Sequence, residues 1–261
     1  MESRKFKNIE IKFSEGNHQY YVNDDNKKIR PASVSKIIKP GNEFSIGAFA
    51  GRKNYIETMI EELPKDDLFK DIPLIDLQEK LFECKKMAEN KWTDQALIGS
   101  AVHDWIEGYL KNNMAEQGYY KGHDERANHI RKLQYPMYEY LNKNIREVHA
   151  TEQLVYDNSI LPYAGKFDAW IEHAEHGECL VDWKTVTKKS NGKLWRIQLC
   201  GYMMAICNER NIDPFNRLIV AIDKETYTIQ EHLYDVDSYA EDLQIWKNYL
   251  QIHSFLNEKK K

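Results

Sequence analysis

The stretch Leu161–Lys184, LPYAGKFDAWIEHAEHGECLVDWK, concentrates the residues of this chain that could do chemistry. It reads as two strands joined by a tight connection around His173–Gly177. Asp168 lies in the first strand, and Asp182 and Lys184 lie at the end of the second. Side chains alternate faces along a strand, so Asp182 and Lys184 point the same way. Cys179, Val181 and Trp183 take the opposite face, which is expected to be the buried one. In the first strand Phe167, Ala169 and Ile171 alternate against Asp168 and Trp170. If the two strands pair, two carboxylates and an ammonium converge at one rim of a sheet. Hard oxygen ligands of this kind suit Mg²⁺ or Mn²⁺, which take one or two carboxylates and a substrate phosphate. A lysine beside such an ion could position or help deprotonate an attacking water. In outline this is hydrolytic chemistry for phosphodiesters.

Other segments stand in a consistent order around that core. Pro31-Ala-Ser-Val-Ser-Lys-Ile-Ile38 comes first, then Gly99-Ser-Ala-Val-His103, then Thr151-Glu152 opening a strand. After the Gly165-Lys-Phe-Asp168 and Val181-Asp-Trp-Lys-Thr185 runs comes Gln198-Leu-Cys-Gly-Tyr202. From about residue 31 to 205 this ordered set resembles the PD-(D/E)XK nuclease superfamily. It is most similar to the RecB-like branch, which includes phage exonucleases, CRISPR-adaptation nucleases and the mitochondrial genome maintenance exonuclease.

The resemblance implies an α/β fold, a restriction-endonuclease-like core in which helices flank a central mixed β-sheet, with a large N-terminal helical insertion. It implies one nuclease domain over 1–261: a hairpin and short helix (1–40), a helical region with the histidine motif (43–144), a catalytic sheet and helix (148–234), and a C-terminal helix and tail (235–261). The implied activity is a divalent-metal-dependent DNA exonuclease of phage-type or bacterial recombination, repair or processing. Asp168, Asp182, His103 and the Trp183 carbonyl are the implied ligands of one or two Mg²⁺ or Mn²⁺ ions. Lys184 orients and activates water, and Glu152 holds a second ion, binds through water or orients the lysine. Gln198 and Tyr202, one turn apart on a helix, face the site. Some relatives carry an iron–sulfur cluster on one upstream and three C-terminal cysteines. Here nothing after Cys207 can ligate, so no cluster is expected.

Net charge is −4, an unpromising value for a nucleic-acid binder, but local patches decide. Lys184, Lys188, Lys189, Lys193 and Arg196 follow one another with no acidic residue between them, starting at the candidate site. The acids gather in Glu57–Asp71 and Glu225–Asp242 instead. That segregation favours a polyanion, with Lys188, Lys189, Lys193 and Arg196 as DNA contacts, against the alternative of a solvated loop. A separate recombinase or single-strand-binding protein is a further expected partner. No apolar run approaches the roughly 18 residues of a membrane helix. MESRKFKNIEIKF lacks the apolar part of a secretory signal, so a bacterial or phage-infected host cytoplasm is expected.

The elements that must position these residues follow from periodicity. Residues 9–30 alternate around Asn23–Asn26 as a hairpin, and Ser33 can cap a helix through Ile38. From Glu43 to Tyr140 the pattern is helical. In the helix from about Thr93 to Lys111, Ile98, Val102, Trp105, Ile106, Tyr109 and Leu110 form an apolar stripe with His103 on its flank. On residues alone His103 is either a boundary side chain or a ligand. Tyr135, Tyr138 and Tyr140, in a helix over 121–144, either stack on unpaired bases or serve the core. Strands are expected at Val148–Asp157, Tyr163–Glu172, Glu178–Lys184, Arg217–Asp223 and Tyr227–Tyr234, with helices over about 193–209 and 236–255. Two other functions fit the carboxylates: a sequence- or structure-directed endonuclease, and a catalytically silent DNA-binding protein of the same fold. A small-molecule or RNA-directed metal hydrolase is opposed by the basic stretch.

Overall fold

The structure, a computed structural model, describes residues 2–25, 27–38, 83, 86, 97–111, 125–186 and 193–257, with only the backbone described at 125, 126, 129 and 193. Lys188, Lys189, the Lys259–Lys261 tail and most of the helical pattern over 43–96 lie outside them. The chain forms two compact units, Gly41–Ala101, and Met1–Pro40 with Val102–Lys261. Of the first of these, residues 83, 86 and 97–101 are helical. All that follows concerns the second.

Two sheets build it. The N-terminal one is an antiparallel meander of β1 (Glu2–Phe6), β2 (Ile9–Ser14), β3 (Gln19–Asp24) and β4 (Lys27–Ile29), in that order. The hairpin expected around Asn23–Asn26 is the β3–β4 turn, and two more strands precede it. Ile11, Phe13, Tyr20 and Val22 alternate inward and pack on Leu154, Tyr156 and Ala164 of the second sheet.

That second sheet is mixed. Its strands are β5 (Ala32–Ser33), β6 (Ile145–Asp157), β7 (Tyr163–His173), β8 (Gly177–Val186), β9 (Asn216–Asp223) and β10 (Ile229–Tyr234). They run in the order β10-β9-β8-β7-β5, with β6 on β7. β8 and β9 are parallel, whereas β7 is antiparallel to both β6 and β8. Cys179–Trp183 is buried throughout, because β8 is covered on both faces; the expectation of one buried face was too narrow.

The helices are α1 (Val34–Ile37), α2 (102–111), α3 (Glu125–Asn144), α4 (Lys193–Arg210) and α5 (Tyr239–Asn257). Ser33 caps α1, its hydroxyl accepting the Lys36 amide at 3.2 Å. The main core joins β7, β8 and β9 to α4 and α5 through Phe167, Leu180, Met203, Ile219 and Trp246. Gly201 permits the α4–α5 approach: a Cβ there would stand 2.9 Å from the Trp246 ring. The strand expected from Tyr227 starts at Ile229. Asp223 accepts the amides of Glu225 and Thr226 at 2.8 and 2.9 Å, and Tyr227 closes that turn with a φ of +59°. The final helix starts at Tyr239, after a 3-10 turn (Val236–Ser238) capped by Asp235.

Candidate metal centre

The site lies where β7 and β8 part. Their ladder ends at the pair Ala169–Val181. The next positions in that register are Asp168 and Asp182, and beyond them β8 continues along β9 alone. On the other edge of β7 the register brings Glu152 of β6 opposite Asp168, between the pairs Thr151–Ala169 and Gln153–Phe167. Three carboxylates therefore stand in a row across three strands. Glu152 interrupts its ladder with a φ of +47°. Left-handed backbone at a non-glycine residue costs on the order of 1–3 kcal/mol and persists only where surrounding structure imposes it.

His103 reaches the row from α2, whose Val102, Ile106, Tyr109 and Leu110 are buried. Its Nδ1 stands 3.4 Å from Asp168 Oδ2. One ligand atom each of His103, Glu152 and Asp168 lies within 4.8 Å of the others. The Trp183 backbone joins at both ends: its N–H donates to Asp168 Oδ2 at 2.8 Å, and its carbonyl accepts from the His103 ring. Asp182, at 3% side-chain exposure, places Oδ2 2.5 Å from Lys184 Nζ. That contact is an ion pair off hydrogen-bond alignment, since Oδ2 is buried with no hydrogen-bond donor aligned on it. Lys184 Nζ also donates to Gln198 Oε1 at 3.4 Å, and Gln198 Nε2 to the Tyr202 hydroxyl at 3.0 Å. The Tyr202 ring lies against Gly165, where a Cβ would collide with it.

Electrostatics shows what this arrangement lacks. Burial, then the charge of Asp182, pushes the Asp168 carboxyl well above the usual range. Burial and Asp168 push Glu152 up to about 7, against the opposing pull of Lys166. Burial holds the His103 imidazole below its ordinary value, so it is neutral and can ligate. Burial also disfavours the Lys184 ammonium, but Asp182 and Asp168 outweigh it and keep the lysine charged above its usual range. Lys184 and Lys166 offset the clustered carboxylates only in part, since Asp168 and Glu152 stay above their usual range; a hard divalent cation would relieve that repulsion.

Lys166 is the residue that sequence reasoning missed. Its Nζ lies 2.9 Å from Glu152 Oε2. The signal was present, since Lys166 precedes Asp168 by two and shares its face. Arg196, an expected DNA contact, is engaged elsewhere: its Nε donates to Asp242 Oδ1 at 2.6 Å. Tyr135 and Tyr138 are exposed, whereas Tyr140 belongs to another cluster.

That cluster, His173, His176 and Glu231, also has metal-ligand geometry. Its hydrogen bonds argue for a structural pin. His173 Nδ1 accepts the amides of Glu175 and His176 at 3.2 and 3.3 Å, which assigns the ring proton to Nε2. Nε2 then faces Glu231 Oε1 at 3.2 Å, the oxygen to which the Tyr140 hydroxyl donates at 2.6 Å. His176 Nε2 meets Oε2 at 2.8 Å. Three donors satisfy this carboxylate with no lone pair of His173 left for an ion, and tie the β7–β8 turn to β10 and α3.

No family model matches the chain, and no curated protein does. Among solved structures, the chain is similar to the "Putative exonuclease" of Eubacterium rectale, at 15% identity over 64% of this chain and 69% of that one, with a TM-score of 0.48. It is also similar to the protein SSO0001, at 16% identity over 83% and 89%, with a TM-score of 0.35. At these scores neither likeness bears on the chemistry, which rests on the site's own geometry.

Proposed function

We propose that this protein is a divalent-metal-dependent nuclease hydrolysing DNA phosphodiester bonds, an exonuclease that works from free ends. The observation that carries the reading is the row Glu152, Asp168, Asp182 across β6, β7 and β8, with Lys184 beside it and His103 above. Asp168, Asp182, His103 and the Trp183 carbonyl are the groups that would hold Mg²⁺ or Mn²⁺, with Glu152 near enough to take part. The cation would neutralise charge gathering on the phosphoryl oxygens and leaving oxygen.

The chain's own residues do the rest. Lys184 carries its proton, so its first task is to hold a water or phosphate oxygen by charge and hydrogen bond, aimed by Gln198 and Tyr202. Glu152, poised near neutrality, is suited to take a proton from that water at its carboxylate oxygen, with Lys166 stabilising the charged form. The ordered motifs support placing this centre on a restriction-endonuclease-like core of the RecB-like branch, one nuclease domain with its helical insertion N-terminal to the catalytic strands. Preference for ends over internal cleavage rests on that resemblance alone. So does a role in recombination or repair in a bacterial or phage-infected cytoplasm, beside a separate recombinase or single-strand-binding protein. No helix among the described residues is long and apolar enough to cross a membrane.

The test uses end-labelled linear single- and double-stranded DNA beside a covalently closed circle, each with Mg²⁺, Mn²⁺ or EDTA. Loss of linear DNA only, dependent on metal and abolished by Lys184→Ala and by Asp182→Ala, is the expected result. Cleavage of the circle would replace the exonuclease by an endonuclease. Salt-sensitive binding without cleavage under any metal would sink the enzyme reading and leave a DNA-binding protein.

A further inference from the structure

A cavity of about 510 Å³ opens beside β5 and α1, away from the carboxylate row. Four separate parts of the chain wall it: 17–20 leading into β3, 30–36, Leu161 and Pro162 before β7, and the last turns of α5. They bring His18, Arg30, Lys36 and His253 to one opening, and among the described residues no aspartate or glutamate lines it. In a chain with 41 acidic residues against 37 lysines and arginines, an acid-free lining with four cation-capable side chains is a local reversal of charge. None of the four has an acidic partner among the described residues. The Arg30 guanidinium lies 5.1 Å from the centre of the Tyr21 ring and makes no ion pair there. Burial, then the nearby Lys36 charge, disfavours the protonated form of His253, as expected inside a positive pocket. Neutral hydrogen-bonding groups of Asn17, Ser33, Ser254 and Asn257 complete the rim.

One lining residue, Tyr20, also stands near the metal centre: its buried phenol lies within electrostatic reach of Lys166 and Glu152. The Pro31–Ile38 segment, recognisable in the sequence but without a role at the carboxylates, supplies Pro31, Ser33 and Lys36 to the pocket. An arginine fork and a lysine point charge with several neutral donors are what a phosphate group asks for.

We propose that this pocket binds a phosphate group of the polynucleotide, a second anchor across Tyr20 from the metal centre; this rests on the nuclease reading. The phosphate is either a terminal monoester or an internal diester, two sources of one chemistry. Held there, the strand is fixed at two points, which orients it relative to the scissile bond.

The experiment uses the full chain and the double variant Arg30→Gln/Lys36→Gln, two exposed side chains whose loss leaves no buried partner. Binding of fluorescent single strands ending in 5′-phosphate, 3′-phosphate or hydroxyl is measured in EDTA across a salt series. Melting is measured with and without inorganic phosphate. The variant is expected to melt like wild type without phosphate, to bind at least about tenfold more weakly at low salt, and to lose about 0.7 from the slope of log affinity on log salt. Inorganic phosphate should raise the melting temperature of wild type alone. Weakening confined to one phosphorylated end assigns the terminal group, and equal weakening on all strands assigns an internal one. A variant with the wild-type salt slope and phosphate response overturns the pocket, even where wild type cleaves DNA. If wild type neither binds nor cleaves DNA but is still stabilised by phosphate through Arg30 and Lys36, the nuclease reading fails and the phosphate site stands.

Discussion

Asp168 and Asp182 are the first residues of β7 and β8 to face each other without a ladder bond between their strands, one step beyond Ala169–Val181. The splay leaves the two carboxylates unequal. Asp168 Oδ2 accepts the Trp183 amide at 2.8 Å, while among the described residues Asp182 Oδ2 meets the Lys184 ammonium alone. One acid is oriented by the backbone and the other by the Lys184 side chain, so a cation between them would share Asp182 with the lysine that Gln198 also holds.

Asp168→Asn separates the catalytic role of this carboxyl from its structural one. An amide oxygen still accepts from Trp183, and the repulsion with Asp182 and Glu152 disappears. Metal-dependent cleavage is expected to fall at least about 100-fold. The stabilisation of the protein by Mn²⁺ should shrink with it. Melting in EDTA at pH 8 should match or exceed wild type, because the raised Asp168 value marks a charged form that costs stability. A large loss of stability in EDTA would show that the carboxylate is a structural group.

Glu152 predicts a pH dependence with a definite sign. Its folded value, about 7, lies above the ordinary 4.5, so the folded protein prefers the protonated acid. Its contribution is fully present below pH 4.5 and is lost as pH rises toward 7. His103, shifted the other way, contributes a slope of opposite sign, so the comparison is with Glu152→Gln, which removes one titration and keeps a partner for Lys166. In EDTA wild type should lose stability relative to the variant across that window, by at most about 3 kcal/mol. Equal pH profiles by denaturant titration would refute the shift.

Much of the sheet was legible because β6 to β9 carry period-2 patterning or short apolar runs between turn residues. Their ends fell within a few residues of the observed Ile145–Asp157, Tyr163–His173, Gly177–Val186 and Asn216–Asp223. The placing of Asp182 and Lys184 on one face followed from their spacing. What spacing could not reveal was pairing distance: where β7 and β8 stop bonding is a property of two strands together. The Glu152 distortion was hidden for the same reason, since nothing in Thr151-Glu-Gln153 marks a positive φ. β1 was missed because Glu2–Phe6 is charged and only half-buried, with little alternation to read. Arg196 belonged to a basic run, and its engagement by Asp242 needed the α5 packing to be seen.

Gly165→Ala tests the second layer. An added methyl would enter the Tyr202 ring and come within 3.1 Å of Val34 Cγ2. Tyr202 is buried and cannot swing out, so the ring or the strand must shift, at a cost of about 1–3 kcal/mol. The displaced hydroxyl withdraws from Gln198, which orients Lys184. Turnover should therefore fall more than substrate binding does. Tyr202→Phe keeps the ring and should reproduce part of the turnover loss with little change in melting temperature. Normal turnover in both variants would remove Tyr202 from the mechanism.

Asp242→Asn should do the opposite, destabilising the fold while sparing the chemistry. Arg217 and Asp242 are both fully buried, paired at 2.8 Å between β9 and α5, and Arg196 of α4 leans on the same carboxylate. A buried pair is not in itself a large source of stability, because both charges had to leave water. Removing one partner is different: Arg217 would remain charged in the core, at a cost of about 3–5 kcal/mol. Replacing both, as in Arg217→Met/Asp242→Leu, should recover most of that loss, since the cavity is refilled without an unpaired ion. Denaturant melts of the two variants make the comparison. Cleavage measured well below the melting transition should stay near wild type in the double variant, because α4 keeps its apolar seat on β7, β8 and β9 and so still carries Gln198 to Lys184. A double variant that is folded but inactive would mean that the Arg196–Asp242 link sets the position of α4 over the carboxylates, and that the apolar core alone does not.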